Sequence, residues 1–111
     1  GAIELVPKRE FYDYKAKYSS KAKTKHIMPA PLLRKKYNEV LFLAKKAHKI
    51  LRCRGITRSD FRFFNNKFYL LETNTQPGMT PTSLVPELAA YRDIDFSALV
   101  RWMVEDAGCA R

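Results

Sequence analysis

A chain of 111 residues with a formal net charge of +10 is long enough for one domain with a core and too short for two. Its 46% hydrophobic and 13% aromatic content argues for a folded protein, no apolar run approaches membrane-spanning length, and no signal peptide is visible. Cys53 and Cys109 are too few and too isolated for a disulfide framework or a zinc site, which makes a reduced, cytoplasmic compartment the default. The chain opens on Gly1 rather than Met, so a processed or truncated start is expected. The positive charge favours polyanionic partners, either nucleic acid or phosphorylated small molecules. Much of it comes from Lys15–Lys25 and from the central helix, and a basic loop with a solvated helix face would account for it equally well.

In chain order, Ala2–Val6 alternates weakly and reads as a strand closed by Pro7. Phe11, Tyr12 and Tyr14 form a second short extended run, followed by a lysine-rich loop over Ser19–Lys25. His26–Met28 is a short strand before Pro29. From Pro31 to about Cys53 the pattern is helical: Leu33, Tyr37, Val40, Ala44, Ala47 and Leu51 recur at alternating spacings of four and three. Arg34, Lys35, Asn38, Lys45, Lys46, Lys49 and Arg52 fall mostly on the other side. Pro31 suits the first turn and Gly55 a left-handed cap past the end. Strands over Ile56–Phe64 and Phe68–Thr75 follow, then a bend at Gln76–Met79. Thr82 or Ser83 caps a short helix through about Ala90, with Pro86 tolerated in its first turn. Asp95 caps a last helix from Phe96 to about Ala107, whose apolar face is Phe96, Leu99, Val100, Met103 and Ala107. This order predicts an α+β domain with a largely antiparallel sheet backed by a long helix and two C-terminal helices.

The stretch from Arg58 to Ser83 concentrates the chemistry. Arg58 and Asp60 lie two apart on one strand, Glu72 and Asn74 two apart on the next, so each pair shares a face. A two-residue turn at Asn65-Asn66 would pair Phe64 with Lys67 and put Asp60 and Glu72 on opposite faces. A three-residue loop would pair Phe64 with Phe68, Asp60 with Glu72 and Arg58 with Asn74. It would also align Phe61 and Phe63 with Tyr69 and Leu71. Carboxylates directly across a ladder repel, a cost best explained by a cation between them. Oxygen ligands of this kind suit magnesium. A solvated charged face is the commoner fate of strand carboxylates.

Further segments complete a pattern. FYDYKAKY at 11–18, Met28-Pro29-Ala30, RGITRSDF at 54–61 and LLETNTQPGMTPTSLVP at 70–86 together resemble the C-terminal part of the D-alanine–D-alanine ligases, which are ATP-grasp enzymes. The motifs span most of the chain in family order. The resemblance implies an ATP-grasp C-terminal subdomain in which Asp60, Glu72 and Asn74 bind two magnesium ions (manganese being a possible substitute), with Glu72 bridging. Lys17 would contact the phosphates of ATP, and Tyr18 would belong to a lid over the reacting groups. Arg58 and the backbone N–H of Gly78 would stabilise an oxyanion. Ser83 and Leu84 would hold the carboxylate of the second D-alanine. The implied reaction phosphorylates one D-alanine with ATP, and the amine of the second attacks the acyl phosphate. Lys15, where the family often has an acidic residue, and the short Asn65-Asn66 turn are departures that touch no implied ligand.

The family's enzymes are about three times this length, so residues 1–111 are expected to be a single partial ATP-grasp domain. The N-terminal and adenine-binding parts of the same protein would be missing, and the isolated chain inactive. The intact enzyme is expected to be a cytoplasmic homodimer that uses D-alanine and ATP and has no membrane or nucleic-acid partner. Alternatives are an ATP-grasp ligase joining D-alanine to another acceptor and a basic nucleic-acid-binding module. The second is opposed by Asp60 and Glu72 at the centre of the hairpin. Each implied role also has a plainer counterpart. Arg58 can form a structural ion pair with Glu72, Asn74 can satisfy backbone groups, Gly78 can serve the bend alone, and Ser83 can simply cap a helix. His26 and His48 have no ligand-spaced partner and read as structural or exposed.

Overall fold

The computed structural model describes residues 1–7 and 24–109. The strand expected around Phe11–Tyr14, Lys17, Tyr18 and most of the Ser19–Lys25 loop lie outside the described residues. Strand β1 (Glu4–Val6) pairs antiparallel with β2 (Lys25–Ile27), with Leu5 opposite His26. Helix α1 (Arg34–Ile50) follows, then an antiparallel hairpin of β3 (Arg58–Phe64) and β4 (Lys67–Asn74), and finally α2 (Leu84–Tyr91) and α3 (Phe96–Asp106). The α+β class and all-antiparallel pairing match the sequence reading. Among the described residues, however, the strands divide into two separate two-stranded sheets instead of one.

Helix α1 is shorter than its sequence pattern at both ends. Pro31 precedes it, because Leu33 keeps an extended conformation (φ −56°, ψ 146°) and Leu32 N–H turns back to Ala30 O at 2.8 Å. Leu33 and Leu51, expected on the apolar face, flank the helix and are largely exposed. Val40 is buried, and Tyr37, Ala44 and Ala47 are half-buried. The expected cationic positions are all exposed. The left-handed cap is Arg52 (φ 54°) instead of Gly55. Cys53 N–H bonds His48 O and Arg52 N–H bonds Lys49 O, each at 3.0 Å, which is the paired bonding of a Schellman termination. Gly55 has φ 75° and serves the following turn.

The hairpin satisfies both halves of the register problem. Asn65 and Asn66 both have positive φ (51° and 62°), as a type I′ two-residue turn demands. Phe64 therefore pairs with Lys67, Phe63 with Phe68 and Phe61 with Leu70, so the alignment of Phe61 and Phe63 with Tyr69 and Leu71 is corrected. The register then shifts between Phe61 and Asp60, and Asp60 pairs with Glu72, Ser59 with Thr73 and Arg58 with Asn74. The extra residue is Leu71. Such a bulge shifts the phase of one strand by one residue, which brings the carboxylates together without a three-residue loop. On the opposite face Phe68 meets Phe63 (ring centroids 4.5 Å apart) and the edge of Phe61 (6.1 Å). Lys36 of α1 lies 5.9 Å above the Phe68 ring and donates to Asn66 O at 2.8 Å, which ties the helix to that face and to the turn.

Among the described residues few are deeply buried: Ala30, Val40, Pro77, Pro86 and Leu99. Helix α3 is capped as its sequence predicts, with Asp95 accepting from Ala98 N–H at 2.7 Å. Leu99 is its buried contact and Phe96 stays half exposed. No described helix is long and apolar enough to cross a membrane.

Two stability predictions follow from these ends. A left-handed conformation costs a non-glycine residue about 1 kcal/mol, so Arg52→Gly should raise the free energy of unfolding by about that much in urea titration. Asp95→Ala should lower it by about 1 kcal/mol through loss of the cap, and amide exchange should quicken first at Ala98.

Candidate functional site

The face that carries the carboxylates is built by the ladder. With Arg58 opposite Asn74 and Asp60 opposite Glu72, these four side chains project from one side of the twisted ribbon. The Ser59 and Thr73 hydroxyls meet on the other side at 3.0 Å. Arg58 grips Asp60 with two hydrogen bonds, Nε to Oδ1 at 2.7 Å and Nη2 to Oδ2 at 3.0 Å, and the same Nη2 lies 3.7 Å from Glu72 Oε1. A guanidinium thus spans the two carboxylates. The fork on Asp60 is the charge-assisted bidentate type, whereas the longer approach to Glu72, whose side chain is 61% exposed, is a solvent-screened attraction.

Asn74 Oδ1 accepts the N–H of Gln76 at 2.9 Å, an Asx turn that bends the chain out of β4. The bend leads through buried Pro77 to Gly78. A Cβ at Gly78 would come within 2.8 Å of Ser83 Oγ, so a side chain there would displace the Ser83 hydroxyl. Ser83 stands at the N-cap position of α2, yet its hydroxyl makes no bond to the helix. It accepts from Thr80 N–H at 2.9 Å and pairs with the Thr80 hydroxyl at 2.6 Å. The expectation that Ser83 caps the helix is therefore right in position and wrong in bonding. The first turn of α2 has no side-chain cap, and Pro86 contributes no N–H there.

Arg58, Asp60, Glu72 and Asn74 thus come together on one sheet face, and Gly78, Ser83 and Leu84 follow on the bend and the start of α2. Lys17 and Tyr18 lie outside the described residues. Among the described residues no three His, Cys, Asp or Glu side chains cluster as a metal site; the oxygen set here is two carboxylates and an amide. It fits a hard cation in donor type, because a bidentate guanidinium leaves each Asp60 oxygen a further lone pair.

Sequence reasoning missed two features. The Leu71 bulge had a signal only in the conflict between the Asn-Asn turn and the carboxylate pairing. The second is a contact between His26 Nδ1 of β2 and Glu87 Oε2 of α2 at 2.6 Å, between residues 61 positions apart that no spacing rule connects. His48 similarly bonds Thr57 Oγ1 at 2.9 Å.

Comparison with known proteins identifies the family. The family model described as the D-ala D-ala ligase C-terminus matches residues 1–105. The D-alanine–D-alanine ligase of Pelagibacter ubique is 57% identical over all 111 residues, which make up 36% of that protein. The Rhodopseudomonas palustris enzyme of the same name is 56% identical over 98% of the chain, covering 37% of it. Among solved structures, the Bacillus anthracis D-alanine–D-alanine ligase complexed with ATP superposes with a TM-score of 0.74 at 25% identity, over 94% of this chain and 32% of that one. Another structure of the same enzyme gives 0.72 at 32% identity, over 94% and 33%. The chain spans about a third of the length of the curated relatives it matches. With the family model matched over nearly its whole length and relatives above 50% identity, the chain belongs to the D-alanine–D-alanine ligase C-terminal family.

Proposed function

We propose that this chain supplies the metal-facing and acceptor-facing part of an ATP-dependent ligase that joins two D-alanine molecules. The observation that carries the reading is the shared face of Arg58, Asp60, Glu72 and Asn74, followed within one bend by the Gly78–Ser83 contact. The ligase names of its relatives and the ATP complex of one structural neighbour support it. The product would be a dipeptide precursor of the bacterial cell wall. Free Cys53 and Cys109 suit the reducing cytoplasm.

The chemistry divides among the residues as follows. ATP phosphorylates the carboxylate of one D-alanine, and the amine of the second attacks the acyl carbon. A tetrahedral oxyanion forms and then collapses, breaking the carbon–oxygen bond to phosphate. Magnesium held by Asp60, Glu72 and Asn74 would neutralise phosphate charge during the transfer. Arg58, already oriented by its fork on Asp60, supplies a fixed positive charge for the oxyanion, and the N–H of Gly78 adds a backbone donor. The uncapped start of α2 at Ser83 and Leu84 offers N–H groups to the acceptor's carboxylate. Lys17 is assigned to the ATP phosphates and Tyr18 to a substrate-binding lid over the reacting groups. The parts that bind adenine and the first D-alanine belong to the portion of the relatives that this chain does not span.

ADP release in the presence of D-alanine tests the reading. The chain joined to the N-terminal portion of the Pelagibacter ubique relative should ligate, and the isolated 111-residue chain should not. Turnover by the isolated chain would overturn the division of the site between two portions. In the joined protein, removing divalent cations with a chelator should abolish turnover, and magnesium should restore it. Arg58→Ala, Asp60→Asn and Glu72→Gln should each lower kcat by roughly 100-fold or more. A wild-type rate in the Asp60 and Glu72 variants would exclude them as metal ligands.

A further inference from the structure

Helix α2 is tied at its first turn to a strand of the other sheet. His26, on the short strand β2, meets Glu87 in the first turn of α2 at 2.6 Å. A carboxylate only accepts hydrogen bonds, so Nδ1 carries the proton and donates. The contact is partly sheltered, the side chains being 20% and 32% exposed, so it is screened less than an open surface pair. The backbone N–H of Glu87 donates to Ser83 O at 3.2 Å. The restraint on Glu87 therefore reaches Ser83 through a single further bond.

The position of Glu87 creates an electrostatic conflict. A carboxylate in a helix's first turn is favoured by the helix dipole, and so is a carboxylate ligand docked on the same N–H groups. Left to itself, Glu87 would compete with that ligand and repel it. We infer that His26 is a positioning residue for the acceptor subsite: by donating to Glu87 it ties up that carboxylate, keeps it from competing for the first-turn N–H groups of α2, and holds Ser83–Leu84 ready for the acceptor's carboxylate. The inference rests on the acceptor role proposed above for Ser83 and Leu84. It assigns a task to a histidine and a glutamate that take no part in the metal face.

The test uses the joined ligase and measures kcat together with the separate KM values for ATP and for the acceptor D-alanine. His26→Leu should raise KM for the acceptor D-alanine about two- to five-fold, the range expected of one charge at a helix end. The KM for ATP and kcat should stay near wild type. Adding Glu87→Gln to His26→Leu should return the acceptor KM toward wild type, because the charge is gone although the hydrogen bond is still missing. A structural tie alone would not be rescued by that second change. An unchanged acceptor KM in His26→Leu, a parallel loss in all three parameters, or failure of the double variant to recover would each overturn the inference while wild-type ligation left the functional reading standing. Absence of ligation by the wild-type joined protein would overturn both.

Discussion

Two carboxylates directly across an antiparallel ladder repel one another, and the hairpin holds Asp60 opposite Glu72 with a guanidinium reaching both. The repulsion between the pair calls for a cation, and Arg58 meets that need from within the chain. This alters what the face means physically. One positive charge against two negative ones leaves an excess of negative charge, so the face still attracts a hard cation while remaining tolerable without it. The fork on Asp60 also fixes the direction of Arg58, so the same ion pair that relieves the repulsion orients the residue given the oxyanion role. The proposed metal face and the proposed oxyanion donor are one electrostatic unit.

That unit depends on an extra residue. The Asn65-Asn66 turn takes the positive φ values that match strand twist, and a ladder continued from it would set Asp60 opposite Leu71. Leu71 is instead bulged out, and the two phases coexist: aromatic pairing near the turn, carboxylate pairing beyond it. Side-chain alternation made the shared face of Arg58 and Asp60, and that of Glu72 and Asn74, legible in the sequence. The pairing of Asp60 with Glu72 was legible too, but through the wrong device. Period-two reasoning has no natural place for a bulge, and a three-residue loop was the simplest way to reach the same pairing. Helix α1 shows a related limit. Its periodicity located Val40 and the cationic side, while Leu33 and Leu51 fit the spacing from outside the helix because backbone conformation, not pattern, sets the ends. Arg52 in the left-handed cap was illegible for the same reason, with Gly55 the better candidate on propensity. The His26–Glu87 contact joins residues far apart in the chain, which only the fold brings together.

Burial is slight, with Leu33, Phe42, Ile50, Phe64, Leu71 and Val104 all more than 60% exposed. Apolar exposure on this scale is characteristic of surfaces that meet other protein, and it accords with a chain that spans about a third of its relatives' length. The hairpin is therefore held chiefly by its ladder, its turn, the Phe61–Phe63–Phe68 cluster and the Lys36 contacts from α1. Local chemistry of this kind places the candidate face without a large core beneath it.

The start of α2 follows a different logic. A serine at the N-cap ordinarily satisfies an N–H of the first turn, and forgoing that bond costs about 1 kcal/mol. Ser83 forgoes it, spending its hydroxyl on Thr80 in the loop that packs against Gly78. Pro86 removes one donor that would otherwise need a partner. The remaining first-turn donors are left for a ligand or for solvent, beside the bend where the acceptor is proposed to sit. An unused cap is a weakness in a helix meant only to fold. In a helix proposed to receive a carboxylate it is the binding feature itself.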